Sequence, residues 1–299
     1  MLNEKSIIVK IWGGVGNQMF QYAAAKALAL QTGRELVIDI LHFNRVHLNE
    51  TPRQYKLNIF PAIKEVTALK KDVNNIVPQF RSPLLSRVYR NINKSIFNFN
   101  KSYRVDKSSF YSEISVNQSH VTYLDGYWQS EKYFQAMSEE IRELFSLNYL
   151  DADPSLTENI EAIRSANSAS IHVRRGDYIA SPHSKQIHAI CDPKYYEKAI
   201  DIVGKAASDG LTLFIFSDDI EWCRANLRIQ FPHKFIVTTQ DYHDLYLMSI
   251  CNHNIIANSS FSWWAAWLNM NEDKLIVAPK KWFLNADSGD IIPNSWTTI

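Results

Sequence analysis

A strand that runs into three closely spaced glycines and then into an alanine-rich helix fills the first thirty-two residues, and it constrains the fold more than any other feature. Ser6-Ile-Ile-Val-Lys-Ile-Trp12 reads as a buried strand, Gly13-Gly-Val-Gly16 as a turn, and Asn17 to Thr32 as a helix with apolar residues at helical spacing. Gly33 then serves as a C-cap, and Glu35 to Ile40 is a second short strand. A βαβ unit therefore opens the chain. Glycine is scarce elsewhere, with nine in 299 residues where usage of about 7% gives roughly 21. Such a chain has a physical reason to place Gly13, Gly14 and Gly16 at one turn. Backbone N–H groups there can approach an anion at a helix N-terminus, although the same turn also serves without a ligand.

The second half repeats the rhythm. Ser170 to Arg174, Leu211 to Phe216, Phe235 to Thr238, Asn254 to Ala257 and Lys274 to Ala278 read as strands. Helices are expected from Asp192-Pro193 to Ala206, Ile220 to Phe231, Asp241 to Cys251 and Phe261 to Met270. Between the halves, Val121 to Trp128 is a strand and turn, and Ser130 to Leu144 a helix. The polar stretch Asn148 to Asn167 carries the boundary, giving domains 1–155 and 156–299. Residues from about His42 to Asn117 are rich in Asn, Ser, Lys and Arg, with helix expected only near Leu84 to Ile96. Alternating strands and helices imply parallel sheets covered on both faces. Ligands of such sheets sit at the C-terminal strand ends, where the strand order switches.

Charge and cysteine exclude several functions. Thirty-two basic against 31 acidic residues leave +1, too little for a protein whose main partner is nucleic acid. Cys191, Cys223 and Cys251 are far apart, without a Cys-x-x-Cys, and read as reduced, buried residues rather than a disulfide frame or zinc site. No run approaches the roughly 18 apolar residues of a membrane helix, and the first residues lack a leader pattern, so a cytoplasmic protein is expected. Asp151-Ala-Asp153 has the form of a metal-binding Asp-x-Asp but lies beside Pro154 in the polar stretch, where capping is the better reading. The histidines show no paired-ligand spacing, so no metal is expected.

Three further motifs carry chemistry. His172-Val-Arg-Arg-Gly-Asp-Tyr178 ends a strand in two arginines, which can hold a phosphate by parallel hydrogen bonds and keep their charge. The alternative is a surface ion pair to Asp177. Phe216-Ser-Asp-Asp219 places acids just past a strand, to accept from guanine or ribose or to cap the next helix. Asn258-Ser-Ser-Phe-Ser-Trp-Trp264 opens a helix with hydroxyls and free N–H groups that can meet a phosphate. Trp263, Trp264 and Trp267 read as core packing.

Together with Gly13-Gly-Val-Gly-Asn-Gln-Met-Phe-Gln-Tyr-Ala23 and Asp125-Gly-Tyr-Trp-Gln-Ser130, these motifs resemble the bacterial α-1,2-fucosyltransferases of glycosyltransferase family 11, over nearly the whole chain. The resemblance implies an α/β fold of GT-B type, with two Rossmann-like domains facing a cleft. It also implies GDP-β-L-fucose as donor, a galactose 2-hydroxyl as acceptor, inversion to an α-1,2 linkage in O-antigen-like glycan, and no required metal or other cofactor. Membrane contact would be peripheral at most, through a lipid-linked acceptor.

Carried over residue by residue, Arg174 would grip the β-phosphate, Arg175 would support it and His172 would lie near the nucleotide. Asp218 or Asp219 would contact guanine or ribose. Ser259, Ser260 and Ser262 would line the phosphate pocket, with Gly14, Gly16 and Asn17 approaching from the other domain. The general base stays open: Asp177 is the nearest acid, with holding an arginine as its other role. Two other readings compete. Gly14, Gly16 and Asp39 resemble part of the dinucleotide fingerprint of a nicotinamide-dependent oxidoreductase, but Met19 stands at its third glycine and the double arginine also counts against it. The aromatics could instead serve a non-catalytic glycan-binding protein.

Overall fold

The computed structural model describes residues 5–44, 52–78, 82–95, 100, 102–106, 108–116, 120–176, 189–207 and 210–299. It forms two compact units, one of 1–145 with 289–291 and one of 146–288 with 292–299. The first unit's principal crossing falls ten residues before the 155/156 boundary drawn above, and a three-residue return from 289 to 291 completes it.

In the first unit the strands and helices are β1 (Ile7–Lys10), α1 (Val15–Thr32), β2 (Leu36–Asp39), β3 (Val66–Thr67), α2 (Lys70–Ile76), α3 (Pro83–Ser95), β4 (Tyr103–Val105), β5 (Thr122–Asp125) and α4 (Ser138–Leu144). Its sheet has the order β3-β2-β1-β5-β4, with every pairing parallel. The helix α1 is buried nearly all round, as its alanines allow. Gly33 ends it in the left-handed region at φ 63°, and Arg34 N–H donates to the Ala29 carbonyl at 2.9 Å.

One expected helix breaks here. From Ser130 to Leu144 the chain makes two 3₁₀ turns before α4 begins at Ser138. Here two adjacent aromatics are buried, Tyr133 against Trp128 with centroids 5.6 Å apart and Phe134 against Phe20 at 6.2 Å. Ser130 still caps, accepting from Lys132 N–H.

The second unit comprises α5 (Thr157–Arg164), β6 (Asn167–Val173), α6 (Pro193–Ala206), β7 (Leu211–Ser217), α7 (Ile220–Asn226), β8 (His233–Phe235), α8 (Asp241–Ser249), β9 (His253–Ile255), α9 (Ser260–Leu268), β10 (Ile276–Ala278) and β11 (Thr297–Thr298). The sheet order β11-β10-β9-β6-β7-β8 is all parallel. Counted from β6 this is the doubly wound Rossmann order, with its switch point between β6 and β9. Asp192 caps α6 through Tyr195 N–H with Pro193 in its first turn, as read. The helix expected to reach Phe231 ends at Asn226, whose side chain donates to the Trp222 carbonyl at 2.9 Å while Leu227 turns extended.

Alternation along β6 sorts its two faces. Ala169, Ile171 and Val173 pack into a core with Tyr196, Ala199, Ile200 and Val203 of α6. Ser168, Ser170 and His172 are the intervening buried polar residues, and Ser170 Oγ accepts from Asn254 Nδ2 at 2.8 Å. On α9, Trp263 meets Trp264 at 5.0 Å and Trp296 at 5.3 Å, so the tryptophans are core residues. The three cysteines are buried free thiols. Among the described residues no helix is long and apolar enough to cross a membrane.

Asp244 on α8 gives a pH-dependent stability. Burial raises its carboxyl to about 6, Thr238 Oγ1 opposes by donating at 2.7 Å, and nearby Asp241 adds to the rise. A raised carboxyl binds its proton more tightly folded than unfolded, so stability falls as pH climbs from about 4 through 6. Asp244→Asn should therefore match the wild type in urea unfolding at pH 4 and exceed it by about 1–3 kcal/mol at pH 8. An equal gap at both pH values would refute the assignment.

Candidate functional site

The sheet of the second unit brings two of the sequence motifs to one place. Parallel pairing runs from Asn167↔Leu211 to Val173↔Ser217. The next residues in register are Arg174 opposite Asp218 and Arg175 opposite Asp219. The ion pairs follow that register: Arg174 Nη1 lies 2.8 Å from Asp218 Oδ2, and Arg175 Nε 3.6 Å from Asp219 Oδ2. The other Asp218 oxygen, Oδ1, accepts from Arg175 N–H at 2.9 Å. Gly176 leaves room for this, since a Cβ there would sit 2.7 Å from Asp218 Oδ2. Asp177 lies outside the described residues.

Asp219 also caps α7. Its Oδ1 accepts from Trp222 N–H at 3.1 Å, and Ser217 Oγ accepts from Asp219 N–H at 2.9 Å. One turn along, the Trp222 ring lies under the Arg175 guanidinium, with 3.8 Å from Cζ to the centroid. This cation–π contact fixes Arg175 from below. Both acids of the Ser-Asp-Asp motif are thus engaged by the arginines and the helix cap.

His172 is buried and faces away from α6. Burial first, then the neighbouring Arg174 charge, push its imidazole down to about 3, against a smaller opposing pull from Asp218. It is neutral throughout the working range of pH. Nδ1 has no hydrogen-bond partner among the described residues, and its ring lies 5.7 Å from Phe261. That contact joins the end of β6 to the start of α9 across the switch point. Ser259 caps α9 through Phe261 N–H at 3.3 Å. Ser262 is fully buried and donates to the Ser259 carbonyl at 3.3 Å, while Ser260 is partly exposed at the helix start. Asn258 is buried and donates to the carbonyls of Trp282 and Ala189.

The first unit has its own switch point, between β1 and β5. After β1, Gly13 adopts φ +81°, and Gly14 caps α1 without a side-chain bond. Gln18 ties this turn to the chain beyond β2, donating to the carbonyls of Gly13 and Gln54 at 2.9 and 2.8 Å and accepting from Lys56 N–H at 2.9 Å. After β5, Asp106 Oδ2 accepts from the N–H groups of Tyr127 and Trp128 at 3.2 and 2.9 Å. Trp128 holds φ +53°, outside the usual range for a bulky residue. Gln129 then donates to Asn17 Oδ1 at 2.8 Å, so this turn orients Asn17.

Asp125 collects Lys10 at 3.3 Å, Arg90 at 3.7 Å and the Tyr103 hydroxyl at 2.6 Å. Burial pushes its carboxyl up, but the two cations and the hydroxyl together hold it below the ordinary carboxylate range. Trp12 stacks on Tyr127 at 4.3 Å beside this cluster. Nothing in the motifs singled out Lys10, Arg90, Asp106 or Trp222. The contacts that recruit them come from strand register and chain return rather than from local spacing.

Two expected alternatives meet other partners. Asp39 is buried; its Oδ1 accepts from Leu41 N–H at 2.9 Å and its Oδ2 from the Tyr123 hydroxyl at 2.6 Å, so its carboxylate is turned into the fold. Asp151 binds Arg164 at 2.8 Å together with the Tyr246 hydroxyl, and Asp153 accepts from Ser155 N–H at 2.9 Å.

The family model described as Glycosyl transferase family 11 matches residues 6–299. The chain is 33% identical over 299 residues to an alpha-1,2-colitosyltransferase of Escherichia coli, covering 98% of each chain. It is 32% identical over 308 residues to the O-antigen biosynthesis glycosyltransferase WbnK of the same organism, covering 96% of this chain and 98% of that one. In structure it is similar to NodZ alpha-1,6-fucosyltransferase co-crystallized with GDP, with TM-score 0.50, 17% identity and coverage of 88% and 92%. That likeness bears on the fold alone, which is two-sheet α/β of GT-B type.

Proposed function

The chain belongs to glycosyl transferase family 11, and from that premise we propose that it transfers L-fucose from GDP-β-L-fucose to the 2-hydroxyl of a terminal galactose. The product is an α-1,2 linkage in an O-antigen-like surface glycan. One observation carries the reading: two arginines set in register against two aspartates at the C-terminal end of β6, on the strand that flanks the switch point. A Rossmann sheet binds its nucleotide there, and a departing diphosphate needs fixed positive charge there.

The reaction is a single displacement. The acceptor oxygen forms a bond to the anomeric carbon as the bond to the β-phosphate oxygen breaks, and the configuration inverts. The electron pair leaves with GDP, and the acceptor proton passes to a base. Arg174 stabilises the growing phosphate charge, and Arg175, braced on Trp222 and Asp219, supports it. His172 is uncharged beside them and can exchange a hydrogen bond without adding charge. Ser259 and Ser260 lie at the start of α9, whose N–H groups favour an anion. Ser262 acts from inside by holding that helix start. We propose that the arginines replace a metal in neutralising the diphosphate. The 33% relative named for colitose makes that sugar the competing donor. Asp39, buried with its carboxylate on Tyr123 and Leu41, offers little to the adenosine ribose of a dinucleotide.

Calorimetric titration in EDTA with GDP, GDP-fucose, UDP and NAD tests the nucleotide and the metal independence together. Binding of GDP and GDP-fucose alone is expected, followed by transfer to a β-galactoside. NAD binding, or a requirement for added divalent metal, would overturn the reading, and faster transfer from GDP-colitose would correct the donor sugar.

A further inference from the structure

We infer that Asp218 is a positioning residue for the phosphate grip and takes no part in reading the base. The inference rests on the proposed GDP-sugar donor. An acid one residue past a Rossmann strand can serve either role, and the geometry separates them. The two Asp218 oxygens are divided between the two arginines, Oδ2 on Arg174 Nη1 at 2.8 Å and Oδ1 on Arg175 N–H at 2.9 Å. One carboxylate therefore fixes a guanidinium and the backbone turn that carries the next one. The position follows from strand register, with Val173 paired to Ser217 and the acid on the following residue. Two neighbours keep it there. Ser217 Oγ accepts from Asp219 N–H at 2.9 Å, which closes the turn, and Gly176 presents no Cβ where one would lie 2.7 Å from Asp218 Oδ2. The side chain of Asp218 is about one-quarter exposed.

Electrostatics makes the test sharp, because the simple charge effect has the opposite sign. Removing a negative charge beside a diphosphate site strengthens anion binding if the residue is a bystander. If Asp218 positions Arg174, the same change loosens the arginine and weakens both binding and turnover. If it reads guanine, guanosine binding falls as much as GDP binding.

Asp218→Asn keeps the shape and removes the charge. The expected result is GDP affinity lower by about tenfold, kcat lower by about 10- to 100-fold, and guanosine affinity and acceptor KM within twofold of wild type. Tighter GDP binding with unchanged kcat, or parallel loss of guanosine and GDP, would overturn the inference. Gly176→Ala provides a second variant that displaces the carboxylate without changing charge, and it should give the same split between GDP and guanosine. It decides the matter if Asp218→Asn does not fold. Wild-type protein that binds no GDP at all would instead remove the donor assignment on which the inference stands.

Discussion

Replacing Arg174 with alanine is expected to lower kcat by about a thousandfold while leaving acceptor KM within a few-fold of wild type. The magnitude follows from where the charge acts. In a displacement that expels GDP, a further negative charge develops on the already ionised β-phosphate as the transition state forms, so a side chain that meets it contributes mainly to kcat. Arg174 stands at the C-terminal end of β6, with Asp218 holding Nη1 at 2.8 Å. Little folding stability is at stake, because the pair is partly solvated and such pairs contribute about 0–1 kcal/mol. A melting temperature near that of wild type, measured beside the turnover, therefore separates chemistry from unfolding. Arg174→Lys should recover only part of the loss, since a point charge cannot both lie against Asp218 and meet a phosphate in two places. A change confined to acceptor KM would remove Arg174 from the leaving-group site.

Much of this arrangement was legible because strong local signals carried it. The alternating residues of β6, the apolar run of β7, the Asp192-Pro193 helix start and the glycine turn before α1 each declare themselves within a few residues. The strands β3 and β4 do not, being two and three residues long at the edges of their sheet. The same limit governs the site. His172, Arg174, Asp218 and Asp219 stand out as residue types at strand ends, but their pairing depends on which strands lie side by side. From sequence, Asp177 is the acid nearest the two arginines, and it lies outside the described residues. Register brings a further acid to Arg174, Asp218, more than forty residues downstream in the chain. Trp222 under Arg175 follows from the helix that Asp219 caps, and Asp106 under the Tyr127–Trp128 turn follows from the β4–β5 pairing. Contacts made by register have no local pattern to read.

Gly126→Ala should be a costly single methyl in the first unit. A Cβ at Gly126 would lie 2.1 Å from the Asp106 Cβ and 3.0 Å from the Asp106 backbone nitrogen, so strand-end backbone must move rather than a flexible side-chain tip. Asp106 cannot yield without cost, because its Oδ2 accepts both N–H groups of the following turn. That turn already holds Trp128 at φ +53°, a conformation that costs an L-residue roughly 1–2 kcal/mol and is sustained by burial of the indole. Losing the Asp106 bonds would release the turn to a relaxed backbone and withdraw Gln129 from Asn17. Overpacking of this kind costs about 1–3 kcal/mol, and a lost buried hydrogen bond adds about 1 kcal/mol, so a destabilisation of about 2–4 kcal/mol is expected in urea unfolding. Turnover in the folded fraction should fall as well, since Asn17 follows the glycine turn at the first unit's switch point. Stability within 0.5 kcal/mol of wild type, the usual range of a neutral surface change, would show that the Asp106 contact is slack and that the turn does not depend on it.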